Sequence, residues 1–355
     1  MKLMLLGDAG NRHVLRWADY FGERGHQVHL LSLEEAGPTR AEVHQLKAPS
    51  LPRPLRYLSV LPQVRRLAGL LRPDLVNAHF LPNYGWISAL AGLSPLAVSI
   101  WGSDILISAQ KSPLHLWRAR YVLSRCRAVT CDGDNLFGAL QELGVEPGRI
   151  LNVPMGIEEE IIASRKNGWT PEKKIQITSI RQLEPVYDVA TLIRALPLLG
   201  SEISRISLAV AGTGSQAAAL AGLSRQNNFA GSVDFLGSLG HEEVIGLLQK
   251  TDIYVSTSIS DSTSVSLLEA MACGCVPVVT DIPGNREWVT DGENGYLFPA
   301  GDHAFLARLL KGLIRRPPDI EAVRRRNALV IRPKALWKNN MAVIEEGFAG
   351  ITSNK

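Results

Sequence analysis

The feature that most restricts the fold is a rhythm. Short apolar runs of strand length alternate with helical patterns, and they do so twice along the chain. The first series has candidate strands "KLMLL" (2–6), "QVHLLSL" (27–33), "DLVNAHF" (74–80), "LAVSIW" (96–101) and "RAVTCD" (127–132), with helices such as "RHVLRWADYFGERG" (12–25) between them. That order is the βαβ pattern of a parallel sheet covered by helices on both faces.

The rhythm breaks at "EEEIIASRKNGWTPEKK" (158–174), which is polar and carries Gly-Trp-Thr-Pro, and then resumes. The second series has strands at 174–180, 205–212, 233–237, 252–257 and 276–281, with helices at 188–199, 215–228, 241–250 and 265–272. The sequence therefore predicts an α/β protein of two doubly wound domains. The first spans 1–160 and the second 175–335, with a linker at 161–174. The amphipathic end "ALWKNNMAVIEEGFAGI" (335–351) reads as a helix. Ligands on such sheets bind beyond the carboxyl ends of the strands, so two facing sheets imply a cleft.

At 355 residues the chain suits two domains of about 150 residues each. The net charge of +4 gives no indication of a nucleic-acid partner. The charge is uneven, though. Residues 40–72 hold seven Lys/Arg against Glu42 alone, and residues 105–131 hold five with no acid. "LHLWRARYVLSR" (114–125) mixes Trp, Tyr and Leu with arginines, as helices at anionic membrane surfaces do. The four cysteines fit no zinc spacing, and Cys273 and Cys275 are too close for an easy disulfide, so all four read as reduced and buried. The histidines, among them His29, His44 and His241, show no metal spacing along the chain. "MKLMLLGD" is too short for a signal-peptide core, and "WISALAGLSPLAVSIW" (86–101) is too short for a membrane span. A cytoplasmic location follows as the expectation.

Function is most legible at "DSTSVSLLEAMACG" (261–274). A helix beginning near Val265 exposes unpaired backbone N–H groups and the positive end of its dipole. Ser262, Thr263 and Ser264 before it are small and add hydroxyls, which suits a phosphate; ordinary N-capping is the alternative. Glu269, a turn further in, has the chemistry to accept hydrogen bonds from two ribose hydroxyls.

In this stretch the sequence resembles the retaining GT-B glycosyltransferases of family 4, the glycogen-synthase-like group. Their signature is two acids separated by seven residues, the second within Glu-Ala-Met-Ala-Cys-Gly. Asp261 and Glu269 have that spacing, and "PGNREWVTDGENGYLF" (283–298) continues the match. "GERGHQV" (22–28), "RPDLVNAH" (72–79), "GSD" (102–104), "PMGI" (154–157), "IRQLEP" (180–185), "AGTG" (211–214), "FLG" (235–237) and "TDIYVSTS" (251–258) follow in family order.

The resemblance implies a GT-B architecture, a nucleotide-sugar donor and no required metal or other cofactor. It implies that Glu269 holds the ribose and that Asp261 lies by the donor sugar. Arg181 pairs with the diphosphate, assisted by the helix start at Ser264, Val265 and Ser266. Gly212 and Gly214 shape a loop by the cleft, and Gly237 borders the base pocket. On the acceptor side stand Gly7 and Asn11 of the opening loop "GDAGNRH", and Trp101. His79 ends a strand and Asp104 follows Gly102-Ser103; both are candidate catalytic groups, Asp104 for holding an acceptor hydroxyl. The resemblance also implies that the last helix, about 336–355, packs back on the first domain.

Three positions depart from the common pattern. The first acid is Asp261 rather than Glu, followed by Ser-Thr-Ser instead of Gly-Phe-Gly. Tyr187 stands where relatives carry a phosphate-binding Lys, and Trp101 where many carry His. An Asp-x-Asp triplet, Asp132-Gly133-Asp134, reads as a turn rather than a metal seat.

The expectation is a metal-independent retaining transferase that uses a UDP- or GDP-sugar and a glycan or lipid-linked acceptor, peripheral to the inner membrane face. A sugar-nucleotide 2-epimerase and a non-catalytic subunit are the alternatives.

Overall fold

The computed structural model describes residues 1–162, 174–226 and 233–353. Most of the linker expected at 161–174, the end of the helix expected at 215–228 and residues 354–355 lie outside them. The chain divides into two compact units, Met1–Pro154 with Asn339–Lys355, and Met155–Lys338.

The first unit carries a seven-stranded sheet: β1 (Lys2–Leu6), β2 (Gln27–Ser32), β3 (Glu42–Gln45), β4 (Leu75–His79), β5 (Leu96–Ser99), β6 (Ala128–Cys131) and β7 (Ile150–Asn152). Their order is β3-β2-β1-β4-β5-β6-β7, with every pairing parallel. The second unit has a six-stranded parallel sheet: β8 (Ile175–Ile180), β9 (Ile206–Ala211), β10 (Val233–Gly237), β11 (Ile253–Ser256), β12 (Val276–Thr280) and β13 (Tyr296–Phe298). Its order is β10-β9-β8-β11-β12-β13. Strands β3, β7 and β13 were not expected from the sequence. They are edge or near-edge strands of three or four residues, and "EVHQ" and "ILN" offer too little apolar length to stand out.

Both sheets change winding direction once, between β1 and β4 and between β8 and β11. Residues that follow these strands therefore lie where open α/β sheets gather ligands. Gly7 follows β1, His79 ends β4 and Arg181 follows β8.

Apolar runs become central strands because both their faces are covered. In the second unit Ile177, Leu192, Val210 and Phe298 pack in one cluster, and Tyr254, Leu268, Met271 and Trp288 in another. The helix Arg12–Glu23 buries Val14, Trp17, Ala18 and Phe21 at helical spacing, and Asn11 caps its start. The expected helix at 188–199 is shorter, Val189–Ala195, with tight turns continuing to Arg205 around Gly200. The final helix, Trp337–Ser353, joins the first unit from Asn339 onward. There Phe348 stacks on Phe21 at 5.8 Å, and Glu345 accepts from Tyr20 at 3.0 Å. All four cysteines are buried and free.

Candidate active site

In the second unit one arginine organises the carboxyl edge of the sheet. Arg181 leaves β8 with its side chain 9% exposed. One terminal nitrogen donates to Asp261 Oδ2. The other donates to Ser264 Oγ at 2.5 Å and Ser266 Oγ at 3.0 Å. Its guanidinium lies over the ring of Tyr187, 4.3 Å from the centroid, a cation–π contact. Burial alone would weaken the charge of Arg181, but the Asp261 carboxylate beside it outweighs burial and holds it firmly protonated. Tyr187 thus supports Arg181 with its face.

The hydroxyl-rich stretch is used in detail. Ser264 is the N-cap of the helix Val265–Ala272, its Oγ accepting from Leu267 N at 3.4 Å. Ser262, Thr263 and Ser264 are buried, and Thr263 Oγ1 accepts from Trp288 Nε1 at 3.3 Å. Buried Tyr254 reaches Ser266 with its hydroxyl at 2.8 Å. The capping reading and the arginine cage are therefore one structure. Glu269 lies four residues into the helix, its side chain 9% exposed, with Oε1 3.4 Å from Nδ1 of His241. His241 opens the helix His241–Leu248 and is a neighbour of Glu269 that the sequence did not single out.

Glycine makes the cage possible. Gly212, just past β9, has φ +143°, and a Cβ there would fall 2.2 Å from the carbonyl oxygen of Arg181. Its N–H donates to Gly237 O at 2.7 Å. A Cβ on Gly214 would fall 2.4 Å from Leu183 O. The loops that follow β8, β9 and β10 thus touch backbone to backbone, and the position of Arg181 is fixed by them.

Two family models match the chain: "Glycosyl transferase 4-like" over residues 2–133 and "Glycosyl transferases group 1" over residues 160–329. The chain is similar to EpsD of Bacillus subtilis (strain 168), 24% identical over 326 residues, covering 85% of this chain and 84% of that one. Among solved structures it is similar to sucrose-phosphate synthase from Thermosynechococcus elongatus, with TM-score 0.84, 14% identity and full coverage of both chains. It is also similar to HepE from Anabaena in complex with UDP and glucose, with TM-score 0.82, 17% identity and coverage of 98% of this chain and 99% of that one.

The chain is a GT-B glycosyltransferase of the family 4 type. Its reaction is the transfer of a sugar from a sugar nucleotide. The cage built by Arg181, Asp261 and Ser264 falls within the group 1 match.

The first unit of the glycosyltransferase places the remaining sequence candidates. Gly7 is packed against Val14, where a Cβ would meet Cγ1 at 2.8 Å. Asn11 is engaged as a helix cap, its Oδ1 accepting from His13 N at 2.8 Å. Trp101 meets the rings of His13 and His79 edge-on, each at 5.5 Å.

Two further candidates are deeply buried. His79 is 2% exposed between Trp17 and Trp101, and neither ring nitrogen has a hydrogen-bond partner among the described residues. Burial lowers its pKa to about 3, so it stays neutral near pH 7 and does not suit a general base. Asp104 is 1% exposed, with Oδ1 accepting from Trp101 N at 3.1 Å and Oδ2 from Leu81 N at 3.3 Å. Both oxygens accept from backbone, so the carboxyl ties two loops. Burial pushes its pKa up to about 6. Asp134 opens the helix Asp134–Glu142 and accepts from Asn152 at 2.7 Å.

The first unit also holds a pocket of about 430 Å³ that the sequence did not reveal. Tyr57, Phe80 and Trp86 supply aromatic faces, and Lys111, His115 and Arg118 supply nitrogen donors. Phe80 sits at φ +71°, an uncommon conformation for a bulky residue.

Proposed function

We propose that the enzyme is a retaining, metal-independent transferase that takes its sugar from a UDP- or GDP-sugar and gives it to a glycan or lipid-linked saccharide. The observation that carries this reading is the buried, fully charged Arg181 beside the N-terminus of helix Val265–Ala272, with Glu269 one turn further in. An arginine and a helix N-terminus together supply positive potential for a departing diphosphate. Glu269 accepts from the ribose hydroxyls. UDP is the favoured nucleotide, because HepE was solved with UDP and glucose.

In the proposed step the bond from the anomeric carbon to the diphosphate oxygen breaks. The acceptor oxygen bonds to the same face, and its proton passes to the leaving phosphate. No strong protein base is needed, which agrees with the neutral, caged His79. The aromatic and basic lining of the first-unit pocket supports a saccharide acceptor, since rings stack on sugar faces and cations suit a phosphate-bearing one. Nearby, Leu114 and Trp117 are 69% and 55% exposed on the helix Pro113–Arg125, beside exposed Arg120 and Arg125. This supports docking to an anionic membrane surface. Among the described residues no helix is long and apolar enough to cross a membrane.

A thermal-shift panel of UDP-, GDP-, ADP- and dTDP-sugars tests the donor, because a ligand that binds the native state raises apparent stability. With the donor found, transfer is assayed in EDTA well below the melting temperature, and the product anomer is read by NMR. Sustained turnover and a retained anomer are expected. Turnover that stops in EDTA and returns with Mn²⁺ or Mg²⁺, or an inverted anomer, overturns this reading.

A further inference from the structure

The sheet edge of the first unit carries a second cluster of polar groups, unrelated to the sugar-nucleotide chemistry. The parallel register of β2 and β3 sets His29 beside Glu42 and Leu31 beside His44. Side chains two residues apart on a strand share a face, so His29, Glu42 and His44 converge on one side of the sheet. Nδ1 of His29 lies 3.0 Å from Nε2 of His44 and 3.2 Å from Oε2 of Glu42, and Nε2 of His44 lies 3.5 Å from Oε1 of Glu42. Among the described residues this is the group of three potential metal ligands within reach of one another.

The cluster gathers three groups that can each present a lone pair: one proton between His29 Nδ1 and His44 Nε2 makes their contact a hydrogen bond, and Glu42 lies beside both rings through separate oxygens. A cation at the centre turns all three lone pairs into ligands.

The spacing also has the right size. Metal bonds of about 2.0–2.1 Å at a tetrahedral centre put neighbouring ligand atoms roughly 3.3 Å apart. Nδ1 of His29 lies 3.0 Å from Nε2 of His44 and 3.2 Å from Oε2 of Glu42, close to that value, and one ligand atom from each of the three residues falls within 4.8 Å of the others. Burial fits as well: His29 is 2% exposed and held by the sheet, His44 is 18% exposed, and Glu42 at 63% leaves an approach from solvent. We propose that His29, Glu42 and His44 form a binding site for a divalent transition metal of the zinc class, with the fourth position open to water. Two imidazoles and one carboxylate suit such an ion better than Mg²⁺ or Ca²⁺, which prefer oxygen ligands. Both ends of the short edge strand β3 would then be tied to β2 through side chains as well as backbone.

The histidine spacing along the chain pointed to no metal, because the ligands come from adjacent strands and only the register unites them. The proposal is independent of the donor-site reading, since it concerns binding and stability and not transfer.

The experiment uses the full chain, stripped with EDTA and desalted. Zn²⁺ is titrated calorimetrically, and Co²⁺ is added to a second sample to record its visible absorption. Glu42→Gln and His44→Ala are compared with the wild type; both side chains are at least partly exposed, so the fold is retained. One equivalent of Zn²⁺ is expected to bind and to raise the melting temperature. The Co²⁺ complex should show the strong visible bands of a four-coordinate ion, and each variant should bind at least tenfold more weakly. Absence of saturable binding below about millimolar Zn²⁺ overturns the proposal. So does equal affinity in the wild type and both variants, which would place the ion elsewhere.

Discussion

Arg181 and Asp261, eighty residues apart in the chain, form an ion pair whose members are 9% and 20% exposed. Each is thereby set for a ligand and occupied before the ligand arrives. On the proposed function, an arriving diphosphate would compete with Asp261 for the guanidinium, and the pair would hold charge that develops during transfer. Arg181→Ala is expected to lower kcat by on the order of 10²–10³, and by more than it weakens donor binding, because the contact strengthens as the glycosidic bond breaks. Steady-state kinetics on a folded variant measure this. A kcat within about threefold of wild type would place the diphosphate elsewhere. Arg181→Lys should rescue little, since one ammonium does not reproduce the forked contacts to Asp261, Ser264 and Ser266.

Glu269 is expected to act on binding rather than on the bond being broken. Glu269→Ala should weaken nucleotide affinity by roughly 1.5–3 kcal/mol, the range for a hydrogen bond to a charged group. Calorimetry with the free nucleoside diphosphate isolates this term. Unchanged affinity removes Glu269 from the site.

Gly212→Ala tests whether backbone contact fixes the arginine. The added methyl would sit 2.2 Å from the Arg181 carbonyl oxygen, at a φ that Ala adopts only with strain. A loss of on the order of 1–3 kcal/mol in stability is expected, together with a fall in kcat. An active variant of wild-type stability would mean that the loop moves freely.

The pH dependence of stability should show two opposed contributions. His79 titrates near 3 in the fold and near 6.5 unfolded, so its contribution is present above pH 6.5 and is lost as pH falls. Asp104 titrates near 6 in the fold, above its unfolded value near 3.8, so its contribution is full below that value and is lost as pH rises through 6. Between pH 7 and 5 they partly cancel. Asp104→Asn removes the compensating half, so acidification over that window should destabilise the variant by about 1 kcal/mol more than the wild type. Urea denaturation at the two pH values measures the difference, and equal losses would contradict the burial of Asp104.

Membrane docking should depend on the exposed face of helix Pro113–Arg125. Each basic residue near an anionic surface contributes about 1 kcal/mol. Arg120→Glu with Arg125→Glu should release the protein from phosphatidylserine vesicles at low salt. If the wild type itself does not sediment with such vesicles, the membrane proposal fails.

The two-sheet plan was legible because central strands such as "KLMLL" and "VPVVT" must be apolar on both faces. Strand β3 was not, because an edge strand faces water and "EVHQ" carries no apolar run. The same contrast separates the site residues. The start of helix Val265–Ala272 could be read from its serines, since capping is local. The capture of Asp261 by Arg181, the ring of Tyr187 beneath it and the His241–Glu269 contact join residues far apart in the chain, and no local pattern encodes them. The surroundings of His79 and Asp104 were hidden for a related reason: position after a strand is visible in sequence, but burial among Trp17, Trp101 and backbone amides is not.

The chain leaves the first unit after Pro154 and re-enters it at Asn339. On the way back, Trp337 N donates to Ile157 O, and Ile157 N donates to Ala335 O, both at 2.8 Å, so the outgoing and returning segments are bonded to each other. The helix that follows supplies Phe348 against Phe21 and Glu345 to Tyr20, Arg24 and His26. On the ribosome those partners emerge in the opposite order to their need. The first 154 residues are made early, yet Phe348, which packs on Phe21, is made only after the entire second unit. That second unit is continuous in sequence and can close on itself as soon as it is released. The portion translated first is therefore the one whose packing is completed last.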